Sequence, residues 1–101
     1  MSGDPVRVGV VGLGRLGKRH ATNLALRVPG AELAAACSPS ADEREWAKAT
    51  LGTKHLYADY AQLLAHPGLD AVFLVTPNTV HPEQIIAGLR AGKHVFCEKP
   101  L

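Results

Sequence analysis

Short apolar, β-branched runs alternate along the chain with longer amphipathic stretches. This alternation is typical of strand–helix–strand units in a parallel sheet. The first run, Val6 to Val11, is almost continuously apolar, as expected of a central strand that is covered on both faces. The pattern predicts five strands, at Val6 to Val11, Leu33 to Cys37, His55 to Tyr57, Ala71 to Val75 and His94 to Cys97.

Capping and turn residues mark the ends of the helices between these strands. Ser40, with Glu43 three residues later, forms a capping-box pattern. Asp59 can cap a short helix, Pro82 suits the first turn of the last helix, and Gly92 can end it. The predicted helices run from Arg15 to about Arg27, from Ser40 to about Leu51, from Asp59 to Ala65 and from Pro82 to Ala91.

The first predicted helix has Leu16, His20, Leu24 and Val28 at helical spacing. The element order predicts an α/β fold, a doubly wound parallel (Rossmann) sheet of about five strands with helices on both faces. Residues 1–101 fit one domain, which we expect to be incomplete because the sequence stops where a doubly wound sheet would normally continue.

Composition narrows the function classes. The chain is 47% hydrophobic and 20% charged with a formal net charge of +2, and its Lys and Arg residues are scattered, so we expect no nucleic-acid partner. The N-terminal apolar stretch is too short to span a bilayer, so we also expect no membrane association. Cys37 and Cys97 have no metal-site spacing and each closes an apolar run. We predict no metal, and buried or semi-buried free thiols in a cytoplasmic protein.

The strongest chemical signal is a GxGxxG motif. Gly12, Gly14 and Gly17, with Arg15 and Leu16 between the last two, lie directly after a predicted strand and open a predicted helix. This context is required for binding a dinucleotide such as NAD or NADP. The first glycine permits the tight turn, the second lets the backbone approach the pyrophosphate, and the third lets the helix pack closely on the strand.

Residues after the second strand bear on the choice between NAD and NADP. NAD-binding domains usually have Asp or Glu about 20 residues after the glycine loop, where the carboxylate binds the adenosine ribose. Ser38 stands at that position. Its hydroxyl can bond to a ribose hydroxyl or to a 2′-phosphate, so we expect little discrimination between the cofactors. Arg44 is either a phosphate partner or a solvated residue on a charged helix face.

Polar residues also follow the fourth and fifth strands. The carboxyl ends of strands in an open α/β sheet line the crevice where ligands bind. Lys99 could hold a substrate hydroxyl or a ribose, or simply be an exposed lysine, and His81 could be an ordinary residue at a helix start. These candidate residues are Thr76, Pro77, Asn78 and His81 after the fourth strand, and Glu98 and Lys99 after the fifth.

The segments GLGRLGKRHATNL, VTPNTVH and CEKPL, in this order and spacing, resemble the Gfo/Idh/MocA oxidoreductase family, and most closely its myo-inositol 2-dehydrogenase-like members. The resemblance covers the whole chain. It implies hydride transfer between nicotinamide and a secondary alcohol of a polyol or sugar. It also implies that Thr76, Pro77, Asn78 and His81 flank the ribose and nicotinamide, with Glu98 and Lys99 beside the nicotinamide and Lys99 in the catalytic hydrogen-bonding network.

Two departures from the family pattern matter. Many NAD-using relatives carry Asp where this chain has Ser38. The resemblance implies that residues 1–101 are an NAD(P)-binding Rossmann domain truncated before a C-terminal α+β domain. The family's remaining catalytic residues, an Asp and a His, belong to that later domain, which also supplies the substrate pocket and an oligomerisation sheet. The resemblance therefore implies a homo-oligomeric dehydrogenase as the full-length parent, and we expect this chain alone to be inactive. The alternatives are a non-catalytic NAD(P)-binding module and a non-redox Rossmann domain that binds another nucleotide.

Overall fold

The computed structural model describes residues 5–76 and 80–97. In these ranges five strands and four helices alternate along the chain, in the predicted order. The strands are β1 (Val6–Val11), β2 (Ala31–Cys37), β3 (Leu56–Tyr57), β4 (Ala71–Leu74) and β5 (His94–Cys97). The helices are α1 (Arg15–Leu26), α2 (Ala41–Leu51), α3 (Tyr60–Leu64) and α4 (His81–Arg90).

The strands form one parallel sheet in the order β3-β2-β1-β4-β5. Strand order reverses at β1, since β2 lies on one side of it and β4 on the other. The sheet is thus the predicted doubly wound Rossmann sheet, and the ligand crevice of such sheets lies at this reversal. The carboxyl ends of the three central strands are in register, with Val11 paired to both Cys37 and Leu74.

Each face of the sheet is covered by a pair of helices. One apolar cluster joins Val10 to Ala21 of α1 and Ala47 of α2. The other joins Val72 to Leu63 of α3, with Ile85 of α4 packed against it. Parallel strands covered on both faces must be apolar on both, which explains the nearly continuous apolar runs. Within the described ranges, no helix has the length and apolar character needed to cross a membrane.

The predicted helix ends are largely confirmed. Ser40 Oγ accepts a hydrogen bond of 3.3 Å from the Glu43 amide, and Asp59 Oδ1 accepts one of 2.8 Å from the Ala61 amide. Pro82 lies in the first turn of α4, and Gly92 follows that helix with a φ of +79°. The reciprocal half of the capping box was wrong: the Glu43 carboxylate bonds to Ser38 rather than to the Ser40 amide.

Strand β2 begins at Ala31 rather than at the predicted Leu33, because its pairing with β1 already starts at Val6 and Ala31. Glu32 lies opposite Arg7 of β1, and the Arg7 Nε to Glu32 Oε2 distance is 3.3 Å. Smaller differences occur at other ends: β3 omits His55 and β4 stops before Val75.

The apolar residues at helical spacing along α1 are not all buried. Leu16 is 38% exposed and Val28, beyond the helix, is 42% exposed, whereas Gly17 and Ala21 are buried. Small residues occupy the buried positions of α1 because they let the helix axis approach the sheet closely. The thiol prediction fails in part, since Cys37 is buried and Cys97, on the edge strand β5, is exposed.

Candidate functional site: the glycine loop and the carboxyl edge of the sheet

The loop between β1 and α1 is built by two glycines that contact each other. Gly12 has a φ of +99°, and a Cβ there would lie 2.6 Å from the Val75 carbonyl oxygen. A Cβ on Gly17 would overlap the carbonyl oxygen of Gly12. The Gly12 amide donates to the Cys37 carbonyl at 2.9 Å, which fastens the loop to β2. These contacts confirm the tight turn and the close helix–strand packing expected of the first and third motif glycines.

Gly14 differs from the other two motif glycines. It is exposed and is the N-cap residue of α1 with a φ of −70°, so its backbone needs no glycine. Apart from Gly14 itself, its two chain neighbours and the adjacent helix backbone, no heavy atom of the described residues lies within 4 Å of a Cβ built on it. Open space beside the backbone is what a close-approaching ligand requires. The structure therefore leaves room at the motif's second glycine, where a phosphate would approach.

Among the residues that the structure describes, no side chain caps the first turn of α1, which lies at the same place. The first amides of a helix have no partner within it, and the N-terminus bears a partial positive charge. Gly14 supplies no side-chain cap, and the first turn contains no acidic residue. Arg15 and Leu16 are both exposed here. An anion fits this set of donors, and the pyrophosphate of a dinucleotide is such an anion.

Ser38 lies at the end of β2 and is fully buried. Its Oγ donates to Glu43 Oε1 at 2.5 Å and accepts from the Ser40 amide at 3.0 Å. Arg44 Nη1 donates to the Ser38 carbonyl at 2.6 Å. The structure thus brings both residues predicted for cofactor choice to one point, but it occupies the serine hydroxyl with protein groups.

The end of β4 places Thr76 beside the glycine loop. Its Cγ2 would lie 3.3 Å from a Cβ on Gly12, and its Oγ1 donates to Gln84 Oε1 of α4 at 2.5 Å. His81 is the first residue of α4, and its Nε2 is buried with no hydrogen-bond partner among the described residues. The remaining predicted site residues lie outside the described residues: Pro77, Asn78, Glu98 and the predicted catalytic residue Lys99.

Sequence reasoning missed the two side chains that hold this edge in place. Glu43 was predicted only as a capping-box residue, and no role was predicted for Gln84. Both sit in the first turn or two of a helix, where a side chain can reach back to the preceding strand end. A polar residue three or four positions into a helix that follows a site strand is the signal that could have found them.

Cys37 lies next to Ser38 without being a candidate nucleophile. Burial raises the pKa of its thiol to about 11; the Asp59 carboxylate adds to the rise and the Arg44 guanidinium opposes it. The thiol therefore stays protonated at neutral pH, whereas thiol chemistry requires the thiolate.

Comparison with known proteins decides the family. The model of the GFO_IDH_MocA family, described as "Oxidoreductase family, NAD-binding Rossmann fold", matches residues 6–101. The chain belongs to this family. The match agrees with the parallel sheet, the glycine loop and the resemblance seen in the sequence.

Three similar proteins show how far the likeness extends. The scyllo-inositol 2-dehydrogenase (NAD(+)) of Bacillus subtilis is 44% identical over 95% of this chain and 28% of its own length. The crystal structure of scyllo-inositol dehydrogenase from Lactobacillus casei with bound NAD(H) and scyllo-inositol has a TM-score of 0.92 and 47% identity, over 96% of this chain and 28% of that one.

The third is KijD10, a 3-ketoreductase from Actinomadura kijaniata in complex with TDP-benzene and NADP. It has a TM-score of 0.86 and 35% identity, over 97% of this chain and 31% of that one. Proteins similar to this chain have thus been crystallised with either cofactor. This chain spans less than a third of the length of each of the three proteins.

Proposed function

We propose that this chain is the cofactor-binding part of an NAD(P)-dependent dehydrogenase that acts on a secondary alcohol of a polyol or sugar. The observation that carries the proposal is the open, uncapped N-terminus of α1 at the point where strand order reverses. In a member of an NAD-binding oxidoreductase family, this is where a dinucleotide pyrophosphate would be bound.

The remaining predicted residues would be arranged along the same edge of the sheet. Ser38 and Arg44 mark the end of β2, where the adenosine ribose would lie. Thr76 and His81, near the end of β4, would flank the other ribose and the nicotinamide together with Pro77 and Asn78. The inositol dehydrogenases among the similar proteins support a polyol as the substrate class.

The cofactor, when bound, would supply the acceptor for hydride from the alcohol carbon. Lys99, beside Glu98, would act through its ammonium, which can hold the substrate hydroxyl by hydrogen bonds. Accepting the proton of the alcohol hydroxyl would instead require the neutral amine. An exposed lysine has a pKa near its reference value of about 10.4 and is a poor base at neutral pH, so proton transfer to Lys99 would need a pocket that covers the site. The longer relatives have the chain length for such a pocket.

Cofactor binding is tested by titrating the protein with NAD and NADP in a calorimeter. Gly14→Val puts a branched side chain where the pyrophosphate would approach, so we expect the affinity to fall by at least about tenfold, or about 1.4 kcal/mol. Ala49→Val is the matched control, because Ala49 is exposed on α2, far along the helix from its start. Equal dinucleotide affinity in the parent and in Gly14→Val would show that the loop assignment is wrong.

Turnover is tested separately with scyllo-inositol, myo-inositol and glucose as substrates. We expect the 101-residue chain to reduce neither cofactor, and a version as long as the relatives to be active and to lose activity in Lys99→Ala. Positioning of the reactants alone can contribute about 7–11 kcal/mol to catalysis, so a site without its substrate pocket should show no measurable turnover. Comparable rates in the short and long proteins would contradict this, and binding without turnover in both would support the non-catalytic module.

A further inference from the structure

A carboxylate stands at the ribose end of the crevice although the sequence has none at the end of β2. Glu43, the third residue of α2, reaches back to the strand end, and its Oε1 accepts the Ser38 hydroxyl at 2.5 Å. The Glu43 side chain is half-buried, and Ser38 is fully buried. The residue pair thus fixes a negative charge beside the position that an acidic residue occupies in NAD-binding Rossmann domains.

We propose that Glu43 is the residue that selects NAD over NADP in this protein, with Ser38 as its positioning residue. The inference rests on the proposed function and assigns its cofactor preference. Glu43 accepts hydrogen bonds from the adenosine ribose hydroxyls of NAD. The same carboxylate repels the 2′-phosphate of NADP.

The hydrogen-bond inventory favours Glu43 over Ser38 as the group that contacts the ribose. A serine hydroxyl has one donor and two acceptor positions. In Ser38 the donor goes to Glu43 and one acceptor position goes to the Ser40 amide. An ionised carboxylate accepts at about four positions, and the Ser38 hydroxyl uses one of them. The free acceptor capacity at this strand end therefore belongs to Glu43.

Arg44 is the group that would favour NADP, and one nitrogen of its guanidinium is already bonded to the backbone. Its Nη1 donates to the Ser38 carbonyl at 2.6 Å, a bond that ties the guanidinium to the end of β2. Glu43 and Arg44 thus both form hydrogen bonds with Ser38, Glu43 with its hydroxyl and Arg44 with its carbonyl. A carboxylate that is held by a buried donor does not swing away to admit a phosphate, and a like charge at close range is the usual device for rejecting a ligand.

The test compares the dissociation constants of NAD and NADP by calorimetry, with the whole chain and its variants. We expect the parent to bind NAD about tenfold more tightly than NADP, and Glu43→Gln to bring the two affinities close to equal. The glutamine keeps an acceptor for the Ser38 hydroxyl and loses only the charge. Ser38→Ala should shift the ratio in the same direction, because the carboxylate is then no longer held in place.

Asp42→Asn is the matched control. It removes the same charge from the same helix turn, so it tests net charge and the helix dipole. Its affinity ratio should stay at the parent value. Thermal unfolding of each variant reports on folding separately from the ratio.

The outcomes separate the two proposals. A folded parent that binds neither dinucleotide contradicts the proposed function. A parent that binds NAD but keeps its affinity ratio in Glu43→Gln overturns this inference and leaves the function intact. An equal shift in Asp42→Asn and Glu43→Gln also overturns it, because net charge would then explain the preference.

Discussion

Two helices start at the same edge of the sheet, and their first turns differ in every respect that matters for binding an anion. Helix α1 begins at Gly14 with no side-chain cap and with the cation Arg15 at its positive end. Helix α2 begins at Ser40, whose hydroxyl accepts an amide of the first turn, and it carries Asp42 and Glu43 there. A cation at a helix N-terminus is unfavourable and a carboxylate there is favourable.

The comparison teaches where a ligand can add binding energy. At α2 the chain's own side chains already supply the acceptor and the negative charge. At α1 both are missing, and the neighbouring backbone carries an open face at Gly14. A ligand with negative oxygens completes α1 and would compete with protein groups at α2. The two helix starts therefore differ in what they lack: α1 has no negative group at its N-terminus, whereas α2 carries its own acidic residues there, including Glu43, the residue we propose for cofactor choice.

The largest expected effect distinguishes two glycines within the same loop. Gly17→Ala forces a Cβ onto the Gly12 carbonyl, so we expect it to lower the free energy of unfolding by about 3 kcal/mol or more, at the upper end of overpacking costs. Gly14→Ala meets open space at an ordinary φ and should change it by less than about 1 kcal/mol. Urea unfolding followed by Trp46 fluorescence measures both, and equal losses would contradict the division of roles.

The start of α1 could be predicted from sequence, because a strand, three spaced glycines and a helix form one local unit. The buried face of α1 could not be predicted as well. Hydrophobic periodicity selects large residues such as Leu16, while close packing against the loop selects Gly17 and Ala21. Which residues pack closest depends on the distance between helix and sheet, and that distance is a tertiary property.

The contacts at the end of β2 could be predicted only in part, for a related reason. Position in the motif identified Ser38, and local capping rules identified Ser40 with Glu43. The bond from Ser38 to Glu43 crosses a strand-to-helix turn, and its formation depends on the backbone path between them. Sequence spacing does not determine that path, so the carboxylate at this edge emerged only from the structure.

An intermediate effect is expected from removing the cap of α2. Ser40→Ala leaves the Glu43 amide without its acceptor and should lower the free energy of unfolding by about 1 kcal/mol. NAD affinity should be unchanged, because the backbone bond from the Ser40 amide to Ser38 remains. For Gly14 we expect the reverse: Gly14→Val lowers dinucleotide affinity, and Gly14→Ala leaves the free energy of unfolding almost unchanged. Thr50→Ala, at an exposed site near the end of α2, is the control and should not lower stability.

If Ser40→Ala weakened NAD binding more than it weakened folding, the Ser40 hydroxyl would belong to the binding site together with Glu43. Its assignment as a structural cap alone would then be wrong. Denaturant unfolding and calorimetric titration on the same preparation separate these results, because one reports on the cap and the other on the ligand.

The smallest expected effect concerns the contact that joins the two helices. Lys18, in the second turn of α1, has its Nζ 5.3 Å from the centroid of the Trp46 ring of α2. A cation over an aromatic face at a partly exposed site is worth about 0.5–1 kcal/mol. The ammonium of Lys18 therefore has a partner on α2. Arg15 remains as the basic residue in the first turn of α1.

A double-mutant cycle measures this contact. Lys18→Met keeps most of the length of the side chain and removes the charge, and Trp46→Leu removes the aromatic face while keeping an apolar residue. We expect the two losses to be non-additive by about 0.5 kcal/mol, because either substitution alone abolishes the contact. Circular dichroism must follow the unfolding, since Trp46 is the one tryptophan of the chain. Strictly additive losses would mean that Lys18 is free to face a phosphate, and NAD affinity in Lys18→Met would then fall.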